Sequence, residues 1–170
     1  MMNSSFISNG NSLPENRFEG RIAFEELVRL GFATANLQGW REIVVCDNNF
    51  EDWPLGDRSV AQSLNDWSKT GRKFTILAKT YNEVIRRHAR FVQWRRTWGH
   101  IVECRACSGV SDEEMPSAFW SPVWVFERLD SARSTVIAGS ETSRRVLLKE
   151  KIDKLITRSS PSFPAHTLGL

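Results

Sequence analysis

The stretch "KFTILAKTYNEVIRRHARFVQWRRTWGHIVECRAC", residues 73–107, contains two short segments typical of strands, separated by one helical segment. "KFTILAK" and "IVECRAC" are bounded by polar residues, which is typical of short buried strands. The residues between them, from about Tyr81 to Trp98, have apolar positions at helical spacing and end at Gly99. Two strands joined by one helix pair in parallel through a right-handed crossover, so this stretch predicts an α/β fold.

The sequence on either side extends this alternation of helices and strands. Residues 22–37 predict a helix, "REIVVCD" a buried strand, and Asp57 or Ser59 the start of a second helix. After residue 107, "SGVSDEEMPSAFW" predicts a loop, "VWVFERLD" and "STVIAG" a strand hairpin, and Thr142 or Ser143 the start of a last helix. The expected fold class is therefore α/β, with a mixed, mostly parallel sheet flanked by helices.

The composition predicts one domain. The chain has 170 residues, 41% of them hydrophobic, which is enough to close a single core. Residues 1–18 are rich in Asn, Ser, Gly and Pro and predict a flexible leader, so residues 19–170 form the expected domain. The start has neither the basic segment nor the apolar stretch of a signal peptide, and no run could span a bilayer. These features predict a cytoplasmic protein with no membrane partner.

The predicted helix over residues 81–98 places two polar side chains inside its apolar stripe. At 100° per residue, His88 and Arg95 share a face with Phe91, Val92 and Trp98. A buried guanidinium must be paired, because an unpaired charge removed from water costs several kcal/mol. One interpretation is a core helix whose polar side chains hold neighbouring loops.

A second interpretation makes the same residues part of an anion site. His88, Arg95 and His100 would then face a ligand in a crevice at the strand ends, together with Asp47 and Asn48, which follow the strand "REIVVC". A third interpretation is nucleic-acid binding by the helix arginines with Trp94 and Trp98. The net charge of +3 and the scattering of the arginines around the helix disfavour it.

The sequence predicts no cofactor and no metal. Cys104 and Cys107 have the spacing of a zinc or redox pair, but a structural zinc site needs four ligands and no second such pair exists. On a strand the two thiols would point to opposite faces. They are expected to be structural thiols, and glycine-rich phosphate loops are missing.

Three phrases resemble a family of bacterial proteins related to the phospholipase D-like fold. They are "FTILAKTYNEVIRRHARFVQWRRTWGHIVECRAC", "MPSAFW" and "KIDKLITRSSPSFPAHTLGL", and the resemblance extends over roughly residues 22–170. It implies a phospholipase D-like half: a sheet flanked by helices, a strand hairpin and a last helix. It also implies that a homodimer could form, since active members of that superfamily assemble two such halves around one site.

The same resemblance implies that the catalytic motif is missing. Active members carry His-x-Lys with an Asp five residues after the Lys. With Asp130 aligned to that Asp, Val123 and Val125 occupy the His and Lys positions, and no His-x-Lys occurs elsewhere in the chain. The expected function is therefore non-catalytic binding of a protein partner or a small anionic ligand. The alternatives are an enzyme of another type acting on an anionic substrate at a His88, Arg95 and His100 site, and a weak nucleic-acid-binding module.

Overall fold

A computed structural model describes residues 12–165 as one α/β domain. An eight-stranded mixed sheet has the order β1-β7-β6-β5-β2-β3-β4-β8. In chain order the elements are β1 (Asn16–Phe18), α1 (Arg21–Gln38), β2 (Glu42–Cys46), α2 (Arg58–Ser68), β3 (Lys73–Ala78), α3 (Asn82–Arg87), α4 (Ala89–Thr97), β4 (Val102–Ala106), β5 (Ser117–Trp120), β6 (Val125–Asp130), β7 (Thr135–Gly139), α5 (Thr142–Thr157) and β8 (Ser160–Pro161).

Helices cover both faces of the sheet. The larger core lies between the sheet and helices α1, α2 and α4, and it includes Phe24, Phe32, Trp67 and Trp94. On the other face, α5 packs over a smaller apolar cluster that includes Ile152. The helix–strand–helix–strand order predicted from the sequence is thus confirmed, as is the β6–β7 hairpin.

The expectation of a mostly parallel sheet is wrong. Only the β2–β3 and β3–β4 pairs are parallel, whereas the other five pairs are antiparallel. The reason is strand β5, which lies inside the segment predicted to be a loop and pairs antiparallel with both β2 and β6. Its four residues follow Pro116 and are too few to give a clear alternation in the sequence.

The single long helix expected over residues 81–98 is also wrong, because it is divided at His88. This residue has φ −119° and ψ 61°, outside the helical region, and separates α3 from α4. The break changes the face that each half presents. Ile85 is 55% exposed, whereas Trp94, which the nucleic-acid interpretation placed at the surface, is 2% exposed.

The segment predicted to be a flexible leader contributes a strand. Residues 1–11 lie outside the described part of the chain, but β1 pairs with β7, and the Trp124 indole donates a hydrogen bond of 2.9 Å to the Pro14 carbonyl. The apolar ending of the chain, residues 167–170, also lies outside the described residues.

Two glycines have structural roles in helix α1, one at its end and one where it packs on the sheet. Gly39 ends the helix with φ 66°, a left-handed conformation that glycine adopts without steric cost. A Cβ at Gly31 would lie only 3.0 Å from the Phe119 ring. The absence of a side chain at Gly31 therefore allows α1 to approach β5 closely.

Candidate functional site

A cleft of about 640 Å³ opens where β2, β3 and β6 reach their carboxyl ends. Strand β2 leads directly into Asp47 and Asn48, β3 into Lys79, and β6 into Ser131. This is the edge at which open α/β sheets place their ligand sites. The lining residues are mostly polar: Arg21, Asp47, Asn48, Asn49, Glu51, Asp52, Lys79, Thr80, Arg87, Asp112, Arg128, Ser131 and Ala132.

The floor of the cleft is an ion triad centred on Arg128. Its guanidinium donates to Asp52 at 2.6 and 3.0 Å and to Asp47 at 3.1 Å. The Arg128 side chain is only 2% exposed, and its charged end lies 4.1 Å from the centre of the Phe24 ring. Burial alone would lower the pKa of Arg128, but hydrogen bonds and charge from Asp52 and Asp47 outweigh it and raise the pKa. Arg128 therefore keeps its positive charge in this buried position.

Asp47 also holds the loop that follows β2. Its second carboxylate oxygen accepts hydrogen bonds from the backbone N–H groups of Phe50 at 2.8 Å and Asn49 at 3.2 Å. Asp47 thus fixes both the turn and Arg128.

The rim carries two cations that are paired with exposed acids of the cleft, and one of them, Arg87, is also held by Glu83 at 2.6 Å from outside the cleft. Lys79 contacts Asp112 at 2.7 Å, and Arg87 contacts Glu51 at 3.1 Å. These two acids are 74% and 50% exposed, so their ion pairs contribute little stability. Arg21 is held more loosely, by Glu25 at 3.6 Å. Four cations and four acids line the cleft, and its formal charges balance.

Of the five predicted site residues, Asp47 and Asn48 line this cleft. The Asn48 amide nitrogen donates at 3.5 Å to the Asp112 carbonyl. Its amide oxygen is buried and has no hydrogen-bond partner among the described residues. Asn48 therefore offers an unused acceptor beside the rim cations.

His88 does not face the cleft. Its ring is 6% exposed, and Nε2 lies 2.8 Å from the Phe50 carbonyl, which requires the ring N–H to donate. Gly56 lies against the same ring: a Cβ added to this glycine would come within 3.3 Å of His88 Nδ1. Burial lowers the pKa of His88, although the bond to Phe50 opposes this. The residue is a neutral core histidine that fixes the break between α3 and α4.

Arg95 lies elsewhere, in a groove at the β4 edge. Its guanidinium donates to the carbonyls of Phe163 at 3.1 Å and Val102 at 3.2 Å, so it ties the C-terminal segment to the sheet. Cys104 lines the same groove, and burial raises its pKa to about 12. Cys107 belongs to the core on the opposite face of the sheet, as predicted.

His100 is exposed and lies beside Trp98, with ring centres 5.9 Å apart. The structure thus brings Asp47 and Asn48 together but leaves His88, Arg95 and His100 at three other places. The cleft residues that the sequence did not reveal are Arg128, Asp52, Lys79 and Arg87. Lys79 could have been found, because it follows a predicted strand directly, as Asp47 does.

The buried state of His88 predicts a pH dependence of stability. Because its pKa is lower in the folded chain than in the unfolded one, the unfolded chain binds more protons as the pH falls through about 6.5. The stability that His88 contributes is therefore complete above that pH and is lost below it. We expect the unfolding free energy of the wild type to fall by up to about 1.4 kcal/mol between pH 7.5 and 5.5 relative to His88→Gln. Urea titrations at both pH values measure this. The same difference in unfolding free energy between the wild type and His88→Gln at pH 7.5 and 5.5 would contradict it.

Within the described residues, no group of three or more His, Cys, Asp or Glu side chains is placed to hold a metal ion. No helix in residues 12–165 has the length and apolar character that crossing a membrane requires.

Comparisons with known proteins show similarity at the level of the fold. No protein-family model and no curated protein matches the sequence. The solved structure of TrmBL2, an archaeal chromatin protein with a novel mode of DNA binding, superposes with a TM-score of 0.60 at 18% identity. The superposition covers 90% of this chain and 56% of that one, so this chain spans little more than half the length of TrmBL2. At this identity the similarity concerns the fold alone.

Proposed function

We propose that this domain binds a small anionic ligand in the cleft at the strand ends and does not catalyse a reaction on it. The observation that carries the proposal is the arrangement of cations there. Arg21, Lys79 and Arg87 surround one opening, and within the cleft Lys79 and Arg87 are paired only with exposed acids, while Glu83 holds Arg87 from outside it. A ligand phosphate or carboxylate can replace Asp112 and Glu51 at little cost, because exposed ion pairs contribute only about 0–1 kcal/mol.

The floor of the cleft supports binding rather than catalysis. Asp47 and Asp52 are the two acids at the floor, and both are held by Arg128. No His, Cys or Tyr is among the described residues that line the cleft. The unused Asn48 acceptor and the hydroxyls of Thr80 and Ser131 suit a ligand that carries hydroxyl groups besides its anionic group.

We further propose that the domain is a phospholipase D-like half without the catalytic motif. The β6–β7 hairpin followed by α5 supports this relation, as does the mixed sheet between helices. Val123 and Val125, at the expected His and Lys positions, lie at the start of β6, whereas the cleft adjoins its end. The ligand would therefore bind away from the family's catalytic position.

Nucleic-acid binding at the cleft has less support. TrmBL2 binds DNA, but a cleft whose charges balance offers no net attraction to a polyanion. A protein partner is also less well supported there, because the cleft is concave and polar.

Inorganic phosphate provides the test. At 10 mM phosphate and a dissociation constant of about 1 mM, binding stabilises the fold by about 1.4 kcal/mol, or about 3–6 °C in melting temperature. We expect this shift relative to chloride at equal ionic strength, and we expect Lys79→Ala with Arg87→Ala to abolish it.

The matched control is Arg58→Ala with Lys154→Ala, which removes the same charge outside the cleft and should keep the shift. The proposal fails if phosphate gives no shift to the wild type, or if the folded Lys79 and Arg87 variant keeps it.

A further inference from the structure

Four cations lie at the end of the sheet opposite the cleft. Arg41 precedes β2, Arg72 and Lys73 lie at the start of β3, and Arg96 lies in the last turn of α4. All four side chains are exposed. We call these four residues the basic edge.

Backbone hydrogen bonds hold the first three side by side. The N–H groups of Arg72 and Lys73 both donate to the Arg41 carbonyl, at 2.8 and 3.1 Å. Phe74 N–H donates to the Ile101 carbonyl at 2.8 Å, which places His100 next in the row. Because neighbouring strands lie about 4.8 Å apart, the backbones of these residues form a row across the starts of β2, β3 and β4.

The helices bring Arg96 to the same end. Trp94 donates from its indole to the Ser68 hydroxyl at 2.8 Å, and Trp98 donates to Asn65 at 3.2 Å. These contacts join the last turn of α4 to the last turn of α2, just before Arg72. The half-buried Trp98 ring and the His100 ring adjoin the cations on this side.

The charges of the basic edge are not neutralised. Among residues 12–165, none of its four side chains forms an ion pair or a side-chain hydrogen bond, in contrast to the cations of the cleft. The two nearby acids are Asp66, which contacts Lys69 at 3.5 Å, and Glu42, which is half-buried beside Lys73 in the sheet. The edge therefore carries a local excess of positive charge on a chain whose net charge is only +3.

We propose that the basic edge binds the phosphate backbone of a nucleic acid, without reading its sequence. A line of unpaired cations, three of them arginines, matches a regular line of phosphates, and arginine can donate two hydrogen bonds to one phosphate. Anionic membranes are the competing polyanion. Membrane binding draws on several exposed apolar anchors beside the cations. The exposed large apolar side chain nearest to Arg41 in sequence is Leu37, in the last turn of α1, and a single anchor of this kind favours a nucleic acid over a membrane.

Fluorescence anisotropy with a labelled DNA duplex at two salt concentrations tests the proposal. Four phosphate contacts give a slope of about −3.6 in log affinity against log salt, which weakens binding about 150-fold between 50 and 200 mM salt. Replacing Arg41, Arg72 and Lys73 with alanine should reduce the slope to about −0.9 and lower the affinity at 50 mM salt at least about tenfold.

The control combines Arg58→Ala, Arg133→Ala and Lys154→Ala, three exposed cations away from the edge with no ion pair among the described residues. It removes the same charge and should leave the slope near −3.6, and melting curves confirm that each variant folds. Lys79→Ala with Arg87→Ala should bind DNA normally, which separates this proposal from that for the cleft. Absence of binding at 50 mM salt, equal losses in both triple variants, or stronger binding to phosphatidylserine vesicles than to DNA would overturn it.

Discussion

Replacing Arg128 with methionine should lower the free energy of unfolding by about 3–5 kcal/mol. Methionine keeps much of the volume against Phe24 but removes the cation that Asp47 and Asp52 share. The Asp47 carboxylate is 6% exposed and would remain buried without its counter-ion. Differential scanning fluorimetry should show a melting temperature lower by about 6–20 °C.

Two further variants identify charge as the cause. Arg21→Met changes a cleft arginine whose side chain is 67% exposed, and its effect should stay within about 0.5 kcal/mol. Adding Asp47→Asn and Asp52→Asn to Arg128→Met should recover part of the loss, because no buried carboxylate then lacks a partner. An Arg128→Met loss below about 1 kcal/mol, or no recovery in the triple variant, would show that the triad does not hold the floor of the cleft.

The sequence predicted the elements of this fold better than their arrangement. Strands β2 and β3 have short, mostly apolar runs, and in β4 apolar and charged residues alternate, so local sequence patterns located all three strands. Strand β5 has four residues, and hydrogen bonds from β2 and β6 define it. Because those partners are distant in sequence, no local pattern could show that the sheet would be mostly antiparallel.

The candidate site was predicted in part for a similar reason. Asp47 and Asn48 follow a predicted strand, and the rule that ligands bind at carboxyl ends of strands was sufficient to select them. Arg128 lies within β6, 81 positions from Asp47, and only the folded sheet brings the two together. One interpretation of the sequence made His88 a ligand-binding residue on a continuous helix and another made it a core residue that holds a loop. Its bond to Phe50 agrees with the second, but it belongs to a helix break that helical spacing does not reveal.

Replacing Trp94 with alanine should be the second large loss, about 3–5 kcal/mol. The sequence offered Trp94 as a surface ring for nucleic-acid bases, whereas the structure places it in the main core, 4.9 Å from the Phe74 ring and 5.3 Å from the Phe91 ring. Its removal would leave a cavity. The Ser68 hydroxyl would also lose the hydrogen bond of 2.8 Å that the Trp94 indole donates to it.

Arg96→Ala, two residues later in the same helix, is the matched control for Trp94→Ala. This side chain is exposed, and its loss should change stability by less than about 0.5 kcal/mol while weakening DNA binding. Urea titration and the anisotropy assay together separate the two residues, since Trp94 should affect mainly stability and Arg96 mainly binding. A different result would contradict this: a Trp94→Ala variant whose free energy of unfolding falls by less than about 1 kcal/mol and which yet binds DNA more weakly. Trp94 would then belong to a nucleic-acid surface and not to the core.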